Sequence, residues 1–236
     1  PPPDRQGEVC HRYILGVYDL YERLTAAFPE VLFESCASGG GRFDPGLLYY
    51  APQGWVSDDS DAVERLKIQY GTSYCYPVSS MGAHVSAVPN HQMNRTTPLA
   101  TRANVACFGT FGYELDLNRL TAEERSQVRE QIAFMKSYRE VLQYGDFYRL
   151  LSPFDGNFTA WMAVSPDRRT ALVGWYKTLN EVNGPFHRVK LRGLDPELCY
   201  TVDGGAGHYG DELMRVGLLT TDSAAGERQP DEAASC

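Results

Sequence analysis

Residues 32–61 constrain the fold of this chain more than any other stretch, because one plan is repeated in them. A short apolar run, Val31 to Phe33, leads into Glu-Ser-Cys-Ala-Ser-Gly-Gly-Gly-Arg-Phe-Asp. A second, around Trp55 and Val56, leads into Ser-Asp-Asp-Ser-Asp. Helical patterns flank both. That β-loop-α order suits a barrel or parallel sheet whose chemistry gathers at the carboxyl ends of its strands. Asp58, Asp59 and Asp61 fall within four residues of one strand end. Carboxylates so crowded repel one another, and such clusters serve proton transfer, metal binding or recognition of sugar hydroxyls.

The periodicity extends this plan. Apolar residues at 13, 14, 17, 20, 21, 24 and 28 predict an amphipathic helix over His11 to Phe28, ended by Pro29. Val31–Ser35 reads as a buried strand and Trp55 to Ser57 as the next; spacing leaves residues 47–50 unassigned. A helix is expected from Ala62 to Tyr70, with Ser60 or Asp61 as N-cap and Gly71 beyond its end. Tyr74 to Val78 reads as a third strand, leading into a loop that holds Ser79, Met81 and His84. Thr97-Pro98 should open a helix to Cys107, with Thr97 as cap. Phe111 to Leu115 is the fourth strand. Thr121 and Glu124 form a capping box for a helix burying Val128, Ile132, Met135 and Leu142 and closed by Gly145.

After Phe147 the period changes to alternation. Phe158–Val164 and Thr170–Tyr176 flank a hairpin turn, and Arg188–Leu191 and Tyr200–Val202 are further strands, so the tail is expected to be all β. The fold class is therefore α/β: the second half of a (β/α)8 TIM barrel over residues 1–146, then a small antiparallel β-sandwich over 147–219. Residues 220–236, rich in Ala, Ser, Asp, Glu and Gly, read as a disordered tail.

Several separate motifs, in order, resemble one known family. Pro-Pro-Asp-Arg-Gln-Gly-Glu from Pro2, Phe33–Asp44, Trp55–Arg65, Glu64 to Gly71 and Met81–Gln92 together are similar to the α-galactosidases of glycoside hydrolase family 36, over nearly the whole chain. The resemblance implies retaining hydrolysis of terminal α-galactosyl residues from raffinose-series sugars or melibiose, with no metal or organic cofactor. It implies that the four strands are the fifth to eighth of the barrel, and that the protein is a homo-oligomer, a tetramer. It places the acid/base carboxylate at the first Asp of the second motif, Asp58. Cys36 and Gly39 would contact galactose hydroxyls, with Ser38, Arg42, Trp55 and Asp59 in support. The family's nucleophile is the Asp of a Lys-Trp-Asp motif upstream of the Pro-Pro-Asp-Arg-Gln-Gly-Glu segment, so the chain is expected to be a carboxyl-terminal fragment, inactive alone. The opening Pro-Pro-Pro-Asp, with no initiating Met, fits a chain cut from something longer.

The residues admit blander readings beside these. One aspartate could cap the helix at Ala62, the task assigned to Asp61, while the others are solvated. Strand alternation would place Val56 and Asp58 on one face and Trp55, Ser57 and Asp59 on the other, giving the first two aspartates different jobs. An acid/base needs a pKa raised toward neutrality, which like charges at 59 and 61 would favour. The glycines after Cys36 could simply supply positive φ; the Lys-Ser/Thr of a phosphate loop is missing. Arg42 could orient a loop carboxylate or bridge to Asp44. Trp55 reads as core rather than a sugar platform. His84 and His91, seven apart, lack a third ligand at a familiar interval.

Bulk properties exclude other classes. The net charge of −8 disfavours nucleic acid as a partner, and no run of eighteen apolar residues predicts a membrane span. Six cysteines without CxxC spacing read as reduced, mostly buried thiols, and the protein as cytoplasmic. Rival activities on the same architecture are a raffinose-synthase-type galactosyltransferase and an α-N-acetylgalactosaminidase; outside them stands a non-catalytic sugar-binding fragment.

Overall fold

The computed structural model describes residues 1–39, 41, 43–180, 182 and 186–220. Arg42 and nearly all of the predicted tail lie outside the described residues. The chain divides into two compact units, Pro1–Asp58 and Asp59–Cys236, and its secondary structure is α/β.

In the first unit, α1 (Gln6–Ala27) begins a turn earlier than its apolar pattern, because Pro3–Arg5 forms a 3-10 turn that feeds it. Val9, Leu15 and Leu20 on it are about half exposed. The β1 strand is only Glu34–Ser35 and pairs in parallel with β2, Gln53–Gly54. Both predicted strands are corrected here. Val31 and Leu32 are exposed, because the ladder exists only where β2 runs alongside, and β2 ends before Trp55. Only the Trp55 amide continues the pairing, donating to the Ser35 carbonyl at 3.0 Å. Residues 55–59 are past the end of β2 and so do not alternate between the two faces of a strand. Between the strands lies α2 (Pro45–Tyr50), the unassigned stretch. Asp44 caps it by accepting from the Leu47 amide at 2.9 Å, and Tyr18 of α1 donates to the same carboxylate at 2.8 Å.

In the second unit, α3 (Ala62–Thr72) takes Asp61 as its N-cap, as the sequence suggests, but runs through Gly71 to a cap at Ser73. Residues 74–76 are not a strand. Their amides fold back onto the carbonyls of Gly71 and Thr72, and a 3-10 turn, Val78–Ser80, follows. The strand is instead β3, Gly82–Ser86, and His84 lies within it rather than in a loop. Its small and polar residues disguise it, yet Gly82, Ala83, Val85 and Ser86 are all buried, as in a parallel strand covered on both faces. It pairs in parallel with β4 (Thr110–Glu114), through α4 (Leu99–Ala106), which Pro98 rather than Thr97 precedes as cap.

The helix α5 (Ala122–Tyr144) carries the predicted capping box: the Thr121 hydroxyl accepts from the Glu124 amide at 3.1 Å, and the Glu124 carboxylate from the Thr121 amide at 2.8 Å. Val128, Met135 and Leu142 are buried and Ile132 partly so. The three-stranded antiparallel sheet β5 (Asp146–Leu151), β6 (Phe158–Val164) and β7 (Ala171–Lys177) follows. Residues of α3, α4, α5, β6 and β7 share one core around Trp161. Beyond lie β8 (His187–Val189), β9 (Cys199–Thr201), β10 (Gly207–Tyr209), α6 (Gly210–Arg215) and β11 (Leu218–Thr220). The tail is thus not all β. Six residues bearing only Leu213 and Met214 as an apolar step are too short to declare a helix by period.

Candidate functional site

The turn after β1 is built by backbone chirality. Ser38 and Gly39 have φ of 51° and 79°, the left-handed region that Gly enters without penalty and Ser only at a cost. Gly39 is buried while Cys36 and Ser38 are exposed. The Ala37 amide donates to the Gly39 carbonyl at 3.3 Å and closes the turn. A Cβ placed on Gly39 would lie 3.0 Å from Ser57 Cα and 3.1 Å from the Asp58 amide nitrogen. The glycine loop therefore rests directly on the backbone of the segment bearing Asp58. A similar constraint holds Gly54, where a Cβ would strike the Phe43 ring.

Asp58 is exposed and follows β2 by four residues. Trp55 is half-buried and is not among the buried core residues, a correction to its reading as core: the β1–β2 ladder ends at Gly54 and Trp55 lies past the strand. The cysteines are corrected as well. Cys10, Cys36, Cys75 and Cys199 are exposed and only Cys107 is buried; no disulfide joins these five. Cys10 lies on α1, Cys36 just after β1, Cys75 in the turn after α3 and Cys199 on β9, all outside the buried clusters. Burial pushes the Cys107 thiol up to about 12, and burial, then the Cys107 charge, does the same to the Tyr113 phenol.

In the second unit Asp59 is half-buried, and its Oδ1 accepts from the Asp61 amide at 3.0 Å. Asp61 is 1% exposed. Its Oδ1 accepts from the amides of Val63 at 3.0 Å and Glu64 at 3.1 Å, and from Arg95 Nη1. Arg95 Nη2 also lies 3.6 Å from Glu64 Oε1. Asp61 is therefore a neutralised cap rather than a bare like charge. The sequence reading missed Arg95, and with it Asn90 and Ser86, whose side chains donate to the Ser60 hydroxyl and carbonyl. The Met81–Gln92 motif held two of the three without assigning them a task, and Arg95 lies just past it.

His84 Nδ1 lies 3.4 Å from Glu114 Oε2 on the neighbouring strand, and His91 is exposed. Among the described residues no three His, Cys, Asp or Glu side chains converge as a metal-binding group, and no helix is long and apolar enough to cross a membrane. A cavity of about 630 Å³ opens in the second unit, walled by Glu64, Lys67, Arg95, Thr159 and Lys177.

Comparison with known proteins places this geometry in context. Residues 2–145 match the family described as Melibiase, and residues 158–230 the glycosyl hydrolase family 36 C-terminal domain. The α-galactosidase AgaA of Geobacillus stearothermophilus is 56% identical over 217 residues, which are 92% of this chain and 30% of that protein. The crystal structure of AgaB, a family 36 α-galactosidase from the same organism, superposes with a TM-score of 0.92 at 52% identity, covering 100% of this chain and 32% of that one. A variant of AgaA solved in complex with raffinose gives the same TM-score at 51% identity, again over 100% of this chain and 32% of the other. The chain spans about a third of the length of these relatives.

Proposed function

The chain belongs to the melibiase family, glycoside hydrolase family 36, and from that membership we propose that the full-length protein is a retaining α-galactosidase with Asp58 as its general acid/base. The observation that carries the reading is the seating of Gly39 on Ser57 and Asp58. Two motifs nearly twenty residues apart are in contact, so a ring held over the Cys36–Gly39 turn lies beside the Asp58 segment. Backbone without side chain at Gly39 admits that approach, and the exposed Cys36 and Ser38 offer polar groups for hydroxyls. Arg42 is outside the described residues; Trp55 and Asp59 are supporting candidates.

In this reading the substrates are terminal α-galactosides, of which raffinose is bound by the AgaA variant. Asp58 protonates the departing glycosidic oxygen while a second carboxylate attacks the anomeric carbon; Asp58 then deprotonates the water that releases galactose. The resemblance assigns that second carboxylate to a Lys-Trp-Asp motif, which these 236 residues do not contain, so by themselves they are expected not to turn over α-galactosides. The parallel pairs β1–β2 and β3–β4, the latter joined through α4, support the barrel reading of residues 1–146, and the antiparallel sheets support a β-sandwich over 147–219. We also read the protein as a cytoplasmic homotetramer; sedimentation analysis and thiol counting of the unreduced protein test these.

Asp58→Ala in the full-length protein tests the assignment. kcat/KM should fall by orders of magnitude on raffinose and far less on a nitrophenyl α-galactoside, whose leaving group needs little protonation. Added azide should restore turnover of the activated substrate. Wild-type turnover of raffinose by the variant would sink the role.

A further inference from the structure

We propose that Arg95 is a positioning residue for the acid/base, acting through Asp61; the inference rests on the reading of Asp58 given above. A helix cap at a protein surface needs no arginine, since the two amides of Val63 and Glu64 already satisfy it. Asp61 is different because its side chain is fully buried. Its Oδ1 serves three donors, while Oδ2 is buried with no hydrogen-bond partner among the described residues. A carboxylate taken so far from water demands a counter-charge, and Arg95 supplies it. The guanidinium remains about a third exposed, so it joins the buried carboxylate to the surface of the unit.

Arg95 does not act as an isolated pair. Its own backbone carbonyl accepts from the Asn90 amide at 2.8 Å, closing the loop between β3 and α4 on itself. Asn90 Oδ1 accepts from the amides of Gln92 at 3.0 Å and Met93 at 2.9 Å. The same loop then grips the residue before Asp61 in three ways. The Ser60 amide donates to Gln92 Oε1 at 3.3 Å, the Ser60 hydroxyl accepts from Asn90 Nδ2 at 3.2 Å, and the Ser60 carbonyl accepts from the Ser86 hydroxyl at 2.9 Å. Every polar group of Ser60 and the working oxygen of Asp61 are thus tied to residues 86–95. Asp59 adds an Asx turn onto the Asp61 amide. The course of the chain immediately after Asp58 is therefore set by this clamp, of which the Arg95–Asp61 ion pair is the charged member. Proton transfer in glycoside cleavage is sensitive to such placement, since a displacement of about 1 Å costs on the order of 10²-fold in rate.

The test uses the full-length protein, with Arg95→Ala, Arg95→Lys and Asp58→Ala assayed in parallel on raffinose and on p-nitrophenyl α-galactoside, and with the melting temperature of each. Loss of placement should imitate partial loss of the acid. Arg95→Ala is expected to lower kcat/KM on raffinose by about 10- to 100-fold and on the nitrophenyl substrate by several-fold less, and Arg95→Lys should recover part of the difference. Should Arg95→Ala not fold, the leaving-group ratio of Arg95→Lys decides alone. An equal fall on both substrates, or unchanged kcat/KM with a lowered melting temperature, would make Arg95 purely structural and overturn the proposal. If Asp58→Ala itself shows no leaving-group dependence, the acid/base reading fails first. If Asp58→Ala shows it and the Arg95 variants do not, only the positioning role fails.

Discussion

Replacing Gly39 by Ala isolates the contact on which the proposed site depends. Two costs follow from the geometry. At φ of 79° an L-residue pays roughly 1–2 kcal/mol relative to Gly for the left-handed backbone. The added methyl would meet Ser57 Cα at 3.0 Å and the Asp58 nitrogen at 3.1 Å. Comfortable separation for such atoms is roughly 3.5–4.0 Å, so about half an ångström or more must be found. Both obstructing atoms are backbone, which cannot swing aside as a side chain would. If a displacement of about 1 Å costs on the order of 10²-fold, a shift of half that size corresponds to about tenfold. The full-length Gly39→Ala protein should therefore lose about tenfold in kcat/KM on raffinose, with a destabilisation of roughly 1–2 kcal/mol measured by chemical denaturation. Steady-state kinetics on purified variant and wild type reads the first quantity. A variant within twofold of wild type in kcat/KM and equal to it in stability would refute the reasoning, because it would mean that the turn does not bear on the Asp58 segment.

Three further predictions concern the second unit. Cys107, buried and with its thiol pushed up to about 12, should stay unmodified by iodoacetamide at pH 8 while exposed Cys75 and Cys199 react; peptide mapping of the labelled native protein reads the pattern. Its thiolate fraction there is on the order of 10⁻⁴, and early labelling would show that the core opens. Cys107 and Tyr113 both hold their protons in the fold beyond the pH at which an unfolded chain releases them. Stability should accordingly be unaffected by these groups below about pH 9 and decline between about pH 9 and 12; denaturation midpoints that stay flat across that window would contradict it. Thr121→Ala removes one half of the reciprocal capping box on α5 and should cost about 1 kcal/mol, with Thr121→Ser close to neutral; equal stability of all three proteins by urea titration would discount the cap.

What the sequence determined by itself was whatever short-range chemistry decides. The Asp61 cap, the Thr121–Glu124 box, the close of α5 at Gly145 and the β6–β7 hairpin are each set by residues a few positions apart, and each stands where the sequence reading placed it to within a residue. The motifs that identify the family are local in the same sense. The tertiary structure decided the rest. β1 and β2 shrink to the two residues at which each finds its partner, and β3 forms at Gly82–Ser86 because β4 pairs with it, although Tyr74–Val78 has the stronger strand composition. Hydrogen bonding to a neighbouring strand is a property of the neighbour, which no local pattern carries. The exposure of the cysteines and of Trp55 likewise depends on what packs over them. Gly39 meets Ser57 and Asp58 across eighteen residues of chain, and Arg95 meets Asp61 across thirty-four. Spacing along the sequence shows that these residues exist; only the folded chain, by closing those loops, turns a glycine into a seat for Asp58 and an arginine into the counter-charge of a buried cap.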